Sequence, residues 1–129
     1  MSTMVDTSVL IELENGSTAL LPDGELVVSV LSVMELQMGI EGAAGRRRAR
    51  RQAYLDHVLE TYTVISADLS TSIAAGRLFQ HLEQCGQRIG YSDTWIAAAA
   101  LVRGEPVVTG NVKHFARVPL LTVIPFSNA

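Results

Sequence analysis

The stretch MVDTSVL, residues 4–10, decides how this chain is read. Met4–Val5 is apolar and runs directly into Asp6-Thr7-Ser8, after which comes the apolar patch Val9–Leu13. That order predicts a short strand and then a polar helix start, because Asp, Ser and Thr can accept from the free N–H groups of a first helical turn. Asn15–Gly16 ends that helix. The same change recurs along the chain. Leu26–Val30 is a β-branched apolar run and predicts a buried strand, with Ser32 as the candidate cap of a helix over Val33–Ile40 that stops near Gly42. Residues 44–61 predict a third helix, Tyr62–Ser66 a short strand, and Asp68–Gln84 a helix ending at Cys85-Gly86. An alanine-rich helix is expected over 93–103, and strands over Pro106–Thr109 and Leu121–Ile124. Strands alternating with helices predict an α/β fold with a mainly parallel central sheet and helices on both faces.

The totals agree with that class. A chain of 129 residues suits one domain, residues 1–129, and a hydrophobic fraction of 48% supplies a core. Only 18% of residues are charged, which argues against disorder. The formal net charge of −3 excludes a global basic field, so any nucleic-acid contact must use a local patch. The single cysteine, Cys85, allows no internal disulfide and fits a reducing cytoplasm. The N-terminus has no basic region followed by an apolar core, so no signal peptide is expected. The apolar run Trp95–Val102 is too short to span a bilayer, so no membrane role is expected.

In a parallel sheet, ligands bind at the carboxyl ends of the strands. Asp6 ends the first strand, Ser29–Ser32 the second and Thr109-Gly110-Asn111 a late one, so these polar residues are expected on one edge. Three acids stand in apolar surroundings: Asp6, Glu35 in VLSVMELQMGIE, and Asp93 in GYSDTWIAAAA. Glu35 has Ser32 and Gly39 beside it at helical spacing, and Asp93 has Ala97 and Ala100, small neighbours that would leave room for approach. Taken singly, Asp6 could cap its helix, Asp93 could serve the helix dipole, and Glu35 could face water. If the three converge they repel, and a divalent cation such as Mg²⁺ removes the repulsion while activating water for phosphoryl chemistry.

The segments MVDTSVL, SVMELQMG, GYSDTWIAAAAL and VVTGNVKHF, in this order and spacing, resemble the PIN-domain ribonucleases, and VapC-type toxins of toxin–antitoxin pairs in particular. The likeness runs from Met4 to about Pro125. It implies a three-layer α/β/α sandwich and a Mg²⁺- or Mn²⁺-dependent endoribonuclease in which water attacks an RNA phosphate in line. Asp6, Glu35 and Asp93 match the family's main metal-binding acids, and Thr7 or Ser8 and Thr109 match hydroxyl positions that support the site. The sequence departs from the family at the fourth acid. Within Thr109-Gly110-Asn111-Val112-Lys113-His114-Phe115, Asn111 takes one candidate position and His114 the other. Asn111 is carried as a catalytic candidate because its carbonyl oxygen can serve a cation or its water, though without charge. His114 is either a supporting residue or a surface histidine before a buried Phe115. The resemblance also implies a cognate VapB-type antitoxin, whose tail can place an arginine in the acidic pocket, and a homodimer or toxin–antitoxin hetero-oligomer. Exposed apolar residues among Val9–Leu13 and Met34–Ile40 are candidates for the antitoxin groove, and core positions explain them equally well.

The run RRRARR, residues 46–51, offers substrate phosphates Arg46, Arg47 and Arg50, and Arg88 is a further candidate. A solvated charged face paired with Asp56 and Glu60 explains the run equally well. Cys85 with His81 resembles a nucleophile pair, but a helix end before Gly86 accounts for both. His57, His81 and His114 lack structural zinc spacing. Three other functions are weighed: a catalytically weak protein-binding module on the same fold, a metal-dependent nuclease acting on DNA or in processing, and a phospho-acceptor domain. The last needs an acceptor Asp after a central strand, where only Asp68 is available.

Overall fold

The computed structural model describes residues 1–126. In chain order the elements are β1 (Ser2–Val5), α1 (Thr7–Glu14), β2 (Glu25–Ser29), α2 (Val30–Glu41), α3 (Gly45–Thr61), β3 (Thr63–Ile65), α4 (Leu69–Gln84), α5 (Tyr91–Arg103), β4 (Val107–Thr109), α6 (Val112–Phe115) and β5 (Val123–Pro125). The strands form one sheet in the order β3-β2-β1-β4-β5, with every neighbouring pair parallel.

Period-two alternation in the strands divides the core between the two faces. Met4, Val27 and Val107 point to one face, where they meet Leu82, Ile96, Ala97, Ala100 and Phe115 of α4, α5 and α6. Val5, Val28 and Val108 point to the other, against Val9, Leu10, Leu36, Ile40, Leu55 and Val58 of α1, α2 and α3. The expected three-layer α/β/α sandwich is therefore present. The Tyr54 hydroxyl on α3 donates to the Leu10 carbonyl and ties α3 to α1.

Several local expectations are corrected. Val30 belongs to α2 rather than to β2, and the cap of α2 is Ser29, whose hydroxyl accepts from the Leu31 N–H at 3.1 Å. Ser32 lies in the helix, fully buried, and bonds elsewhere. The short α6 lay unmarked in the sequence. Ala97 to Ala100 do not open space around Asp93; all four are at most 2% exposed. They are small because α5 lies close against β1 and the rest of that core.

The strand order reverses direction at β1, between β2 on one side and β4 on the other. Such a switch point leaves a crevice beyond the strand ends, where ligands of open α/β sheets bind. Asp6 follows β1 there, and Thr109 ends the adjacent β4.

Candidate active site

Asp6 is 2% exposed at the start of α1. Its carboxylate makes no capping bond to the helix. Oδ2 instead accepts from Ser8 Oγ at 2.7 Å and from Thr109 Oγ1 at 2.8 Å. Oδ1 is buried with no hydrogen-bond partner. A buried carboxylate oxygen left bare is costly unless something positive or protic faces it.

Glu35, on α2, is half-buried rather than turned to water. Its Oε1 accepts from Thr7 Oγ1 at 3.0 Å and from Ser92 Oγ at 2.7 Å, and Thr7 Oγ1 also bonds Ser32 Oγ at 2.7 Å. Ser92 is a site residue that the sequence reading missed; its only signal was its place beside Asp93 at a helix start. Asp93 lies in the first turn of α5, three residues after the cap, since Gly90 takes the N-cap position. Burial raises the Asp93 carboxyl above its ordinary value of 3.8, and the nearby Asp6 charge raises it further. His114 pulls it back down, and Glu35 adds a smaller rise. The three acids thus share one electrostatic neighbourhood.

The β4–α6 junction completes the wall. Thr109 Oγ1 accepts from the Asn111 N–H at 2.8 Å, and the Gly110 N–H donates to Ser8 Oγ at 3.1 Å. Asn111 Nδ2 lies 2.7 Å from His114 Nδ1, which in turn stands 3.5 Å from Asp93 Oδ2. The structure brings together Asp6, Thr7, Ser8, Glu35, Asp93, Thr109, Asn111 and His114.

The arginine run divides. Arg48 pairs with Glu41 at 3.3 Å, and Arg51 Nη1 donates to the Gly39 carbonyl at 2.6 Å, so both fasten α3 to α2. Arg47 and Arg50 join Arg51, Ile11, Glu14 and Glu35 around a groove of about 540 Å³ that adjoins the acids through Glu35. Arg46 and Arg88 are exposed and not part of that lining, and Arg88 stands 3.7 Å from Glu83.

The PIN-domain family model matches residues 3–121. Ribonuclease VapC5 of Mycobacterium tuberculosis is 38% identical over 110 residues, covering 82% of this chain and 80% of that protein. The chain belongs to the PIN-domain family, in its VapC group. Two solved structures share the fold of this VapC-type PIN domain across nearly its full length. One is VapBC2 from Rickettsia felis bound to a DNA fragment from their promoter, with a TM-score of 0.85 at 25% identity, covering 98% of this chain and 100% of that one. The other is VapBC-5 of the toxin–antitoxin family from Mycobacterium tuberculosis, with a TM-score of 0.78 at 31% identity, covering 96% of each chain.

The residues of this VapC-type site fit a hard, hydrated cation. The donors are oxygens, and Asp6 Oδ1 is a buried acceptor without a partner. Among the described residues, no three His, Cys, Asp or Glu side chains stand close enough to ligate one ion together. That arrangement suits a cation held by one or two carboxylates and retained waters, rather than a closed protein cage.

Proposed function

We propose that this VapC-type PIN domain is a divalent-cation-dependent endoribonuclease, acting in the cytoplasm as the toxin of a VapBC-type pair and built as a single domain over residues 1–129. The observation that carries the reading is the bare, buried Asp6 Oδ1 beside Asp93 at the switch point of the sheet. The ribonuclease name of the relative at 38% identity supports RNA as the substrate. The chemistry a bound Mg²⁺ or Mn²⁺ supplies here is polarisation of the scissile phosphoryl group and activation of water.

Asp6 and Asp93 would hold the ion, directly or through water. Glu35, oriented by Thr7 and Ser92, would complete the shell or align the attacking water. Ser8 and Thr109 engage Asp6 Oδ2, which fixes the carboxylate and leaves Oδ1 as its open donor. Asn111 adds a neutral oxygen donor. Arg47 and Arg50, in the groove next to Glu35, would take flanking phosphates. Arg46 and Arg88 have weaker claims, because neither lines that groove. Because water is the nucleophile, the RNA 2′-hydroxyl need not react; preference for RNA would come from shape and unstacked bases.

The partner is a VapB-type antitoxin, by likeness to the VapBC complexes. The structure divides the candidate groove residues between the two readings. Val9, Leu10, Leu36 and Ile40 are core, whereas Ile11, Met34 and Met38 are 44–63% exposed and remain available. An antitoxin guanidinium entering the acidic pocket would take the place of the cation. A homodimer or toxin–antitoxin hetero-oligomer fits the apolar pocket of about 450 Å³ formed by Leu31, Met34, Phe79, Tyr91 and Trp95. Among the described residues, no helix is long and apolar enough to cross a membrane.

One observation favours the weaker-site alternative, a protein-binding module: Asn111 and His114 stand where a fourth acid would be. The test is cleavage of labelled single-stranded RNA with Mg²⁺ or Mn²⁺ by wild type and Asp93→Asn, each freed of antitoxin. Metal-dependent cutting by wild type alone is the expected result. Equal cutting by both would expose a contaminant or a wrong site, and cutting of DNA but not RNA would reassign the substrate.

A further inference from the structure

Asp6 and Asp93 belong to elements far apart in sequence, β1–α1 and α5, which pack together in the core. A run of side-chain contacts crosses the gap through β4 and α6. Thr109 Oγ1 donates to Asp6 Oδ2 at 2.8 Å and accepts from the Asn111 N–H at 2.8 Å. The Asn111 carboxamide nitrogen meets His114 Nδ1 at 2.7 Å, and that same ring nitrogen lies 3.5 Å from Asp93 Oδ2. Every link from Asp6 to Asp93 is made by a named residue of one seven-residue stretch, 109–115.

We propose that His114 is a positioning residue that closes this chain of contacts, holding Asn111 in the place of the missing fourth acid and setting Asp93 against Asp6. One ring nitrogen faces both neighbours and bonds one or the other according to its protonation. With the proton on Nε2, Nδ1 accepts from the Asn111 amide; with it on Nδ1, the ring donates to Asp93. The first arrangement fixes the Asn111 amide within the β4–α6 turn, and the second ties that turn to Asp93 on α5. When Asn111 donates through its nitrogen, its carboxamide oxygen is left as the donor for a cation or its water. His114 acts through Asn111 and Asp93 and touches no reacting atom. It is 41% exposed on its side chain, with no place in the hydrophobic core, so packing does not account for its contacts. Phe115, the next residue, is fully buried and anchors the turn that presents the ring.

The effect on cation affinity rests on the cation-dependent reading above; the linkage itself does not. Two measurements separate them. The first is thermal unfolding of the metal-free protein as a double-mutant cycle of His114→Ala and Asn111→Ala. Each single variant should lower the Tm, and the double variant should lower it no further than the larger single effect. His114→Asn should recover most of the loss, because its side-chain amide places a polar atom near the position of Nδ1. Additive losses would overturn the proposal, since they would make the two residues independent.

The second is Mn²⁺ binding to the same proteins by titration calorimetry, without RNA. His114→Ala should weaken affinity by about 10–100-fold, the usual cost of losing a residue that orients a metal's donors. His114→Asn should restore most of it. In cleavage assays the His114→Ala defect should shrink as Mn²⁺ is raised, with the KM for RNA unchanged. Unchanged Mn²⁺ affinity in His114→Ala would overturn the positioning role. Wild type that binds no Mn²⁺ and cuts no RNA would sink the ribonuclease reading, and the unfolding cycle alone would then decide the linkage.

Discussion

Two carboxylates are buried at opposite ends of the same strand pair, and they are treated in opposite ways. Glu105 precedes β4 at the amino-terminal edge of the sheet and is 7% exposed. Its Oε1 accepts from Arg103 Nε at 2.7 Å, and its Oε2 accepts from the Ser2 hydroxyl of β1. Both oxygens are satisfied and the charge is paired. Asp6 follows β1 at the carboxyl-terminal edge, 2% exposed, with one oxygen bare and two further acids close by. Burial alone therefore does not mark function. What marks it is burial without a partner: Glu105 fastens the first strand, while Asp6 keeps an unmet demand for positive charge.

The comparison can be broken at either end. The largest effect is expected at the open edge. Asp6→Asn should cut RNA cleavage by about 10²–10⁴-fold, the range typical of losing a positioned ionisable group, while the protein stays folded by circular dichroism. At the closed edge, Glu105→Gln should cost about 1–3 kcal/mol in urea unfolding, as expected when a buried polar pairing is spoiled, with cleavage per folded molecule unchanged. A loss of activity there, or none of stability, would erase the distinction.

A smaller effect concerns pH. The Asp93 carboxyl is raised above 3.8, so the folded state binds its proton more tightly than the unfolded chain. Its ionised form therefore destabilises the fold, and the penalty develops as pH rises from 3.8 through the raised value. Asp93→Asn should be more stable than wild type at pH 7 without divalent cations, and the gap should close as pH falls below 3.8. Added Mg²⁺ should narrow the gap at pH 7. Chemical denaturation across that range, with and without the ion, checks the sign. The smallest effect is expected in the groove. Replacing Arg47 and Arg50 together with alanine should lower the salt slope of single-stranded RNA binding by about 1.4, two charges at roughly 0.7 each. Replacing Arg48, which is paired with Glu41, should change the slope less.

Much of this was legible beforehand, and the failures have physical causes. The apolar pair Met4–Val5 ahead of Asp6 and the β-branched run from Leu26 marked the first two strands, because a strand buried on both faces needs a continuous apolar run. The cap of α2 was misplaced by three positions, since Ser29 and Ser32 are chemically equivalent in sequence and only the point where φ and ψ turn helical separates them. The alanines of α5 belong to the core and not to the site; smallness at a helix face reports close packing without saying what packs there. Ser92 and Glu105 went unnoticed because their partners, Glu35 and Ser2, are 57 and 103 residues away. The arginine run looked uniform, yet α3 turns Arg48 and Arg51 toward α2 and leaves Arg47 and Arg50 on the groove.

The alternation of strand and helix, the three acids and their family pattern, and the absence of a fourth acid between Thr109 and Phe115 can all be read along the chain. Those properties are local, fixed by residue type and spacing along the chain. Which buried carboxylate is paired and which is bare, and that His114 lies against both Asn111 and Asp93, emerge once the chain is folded. Partnership is a property of distance in space, and it is set by the order in which a parallel sheet places its strands side by side.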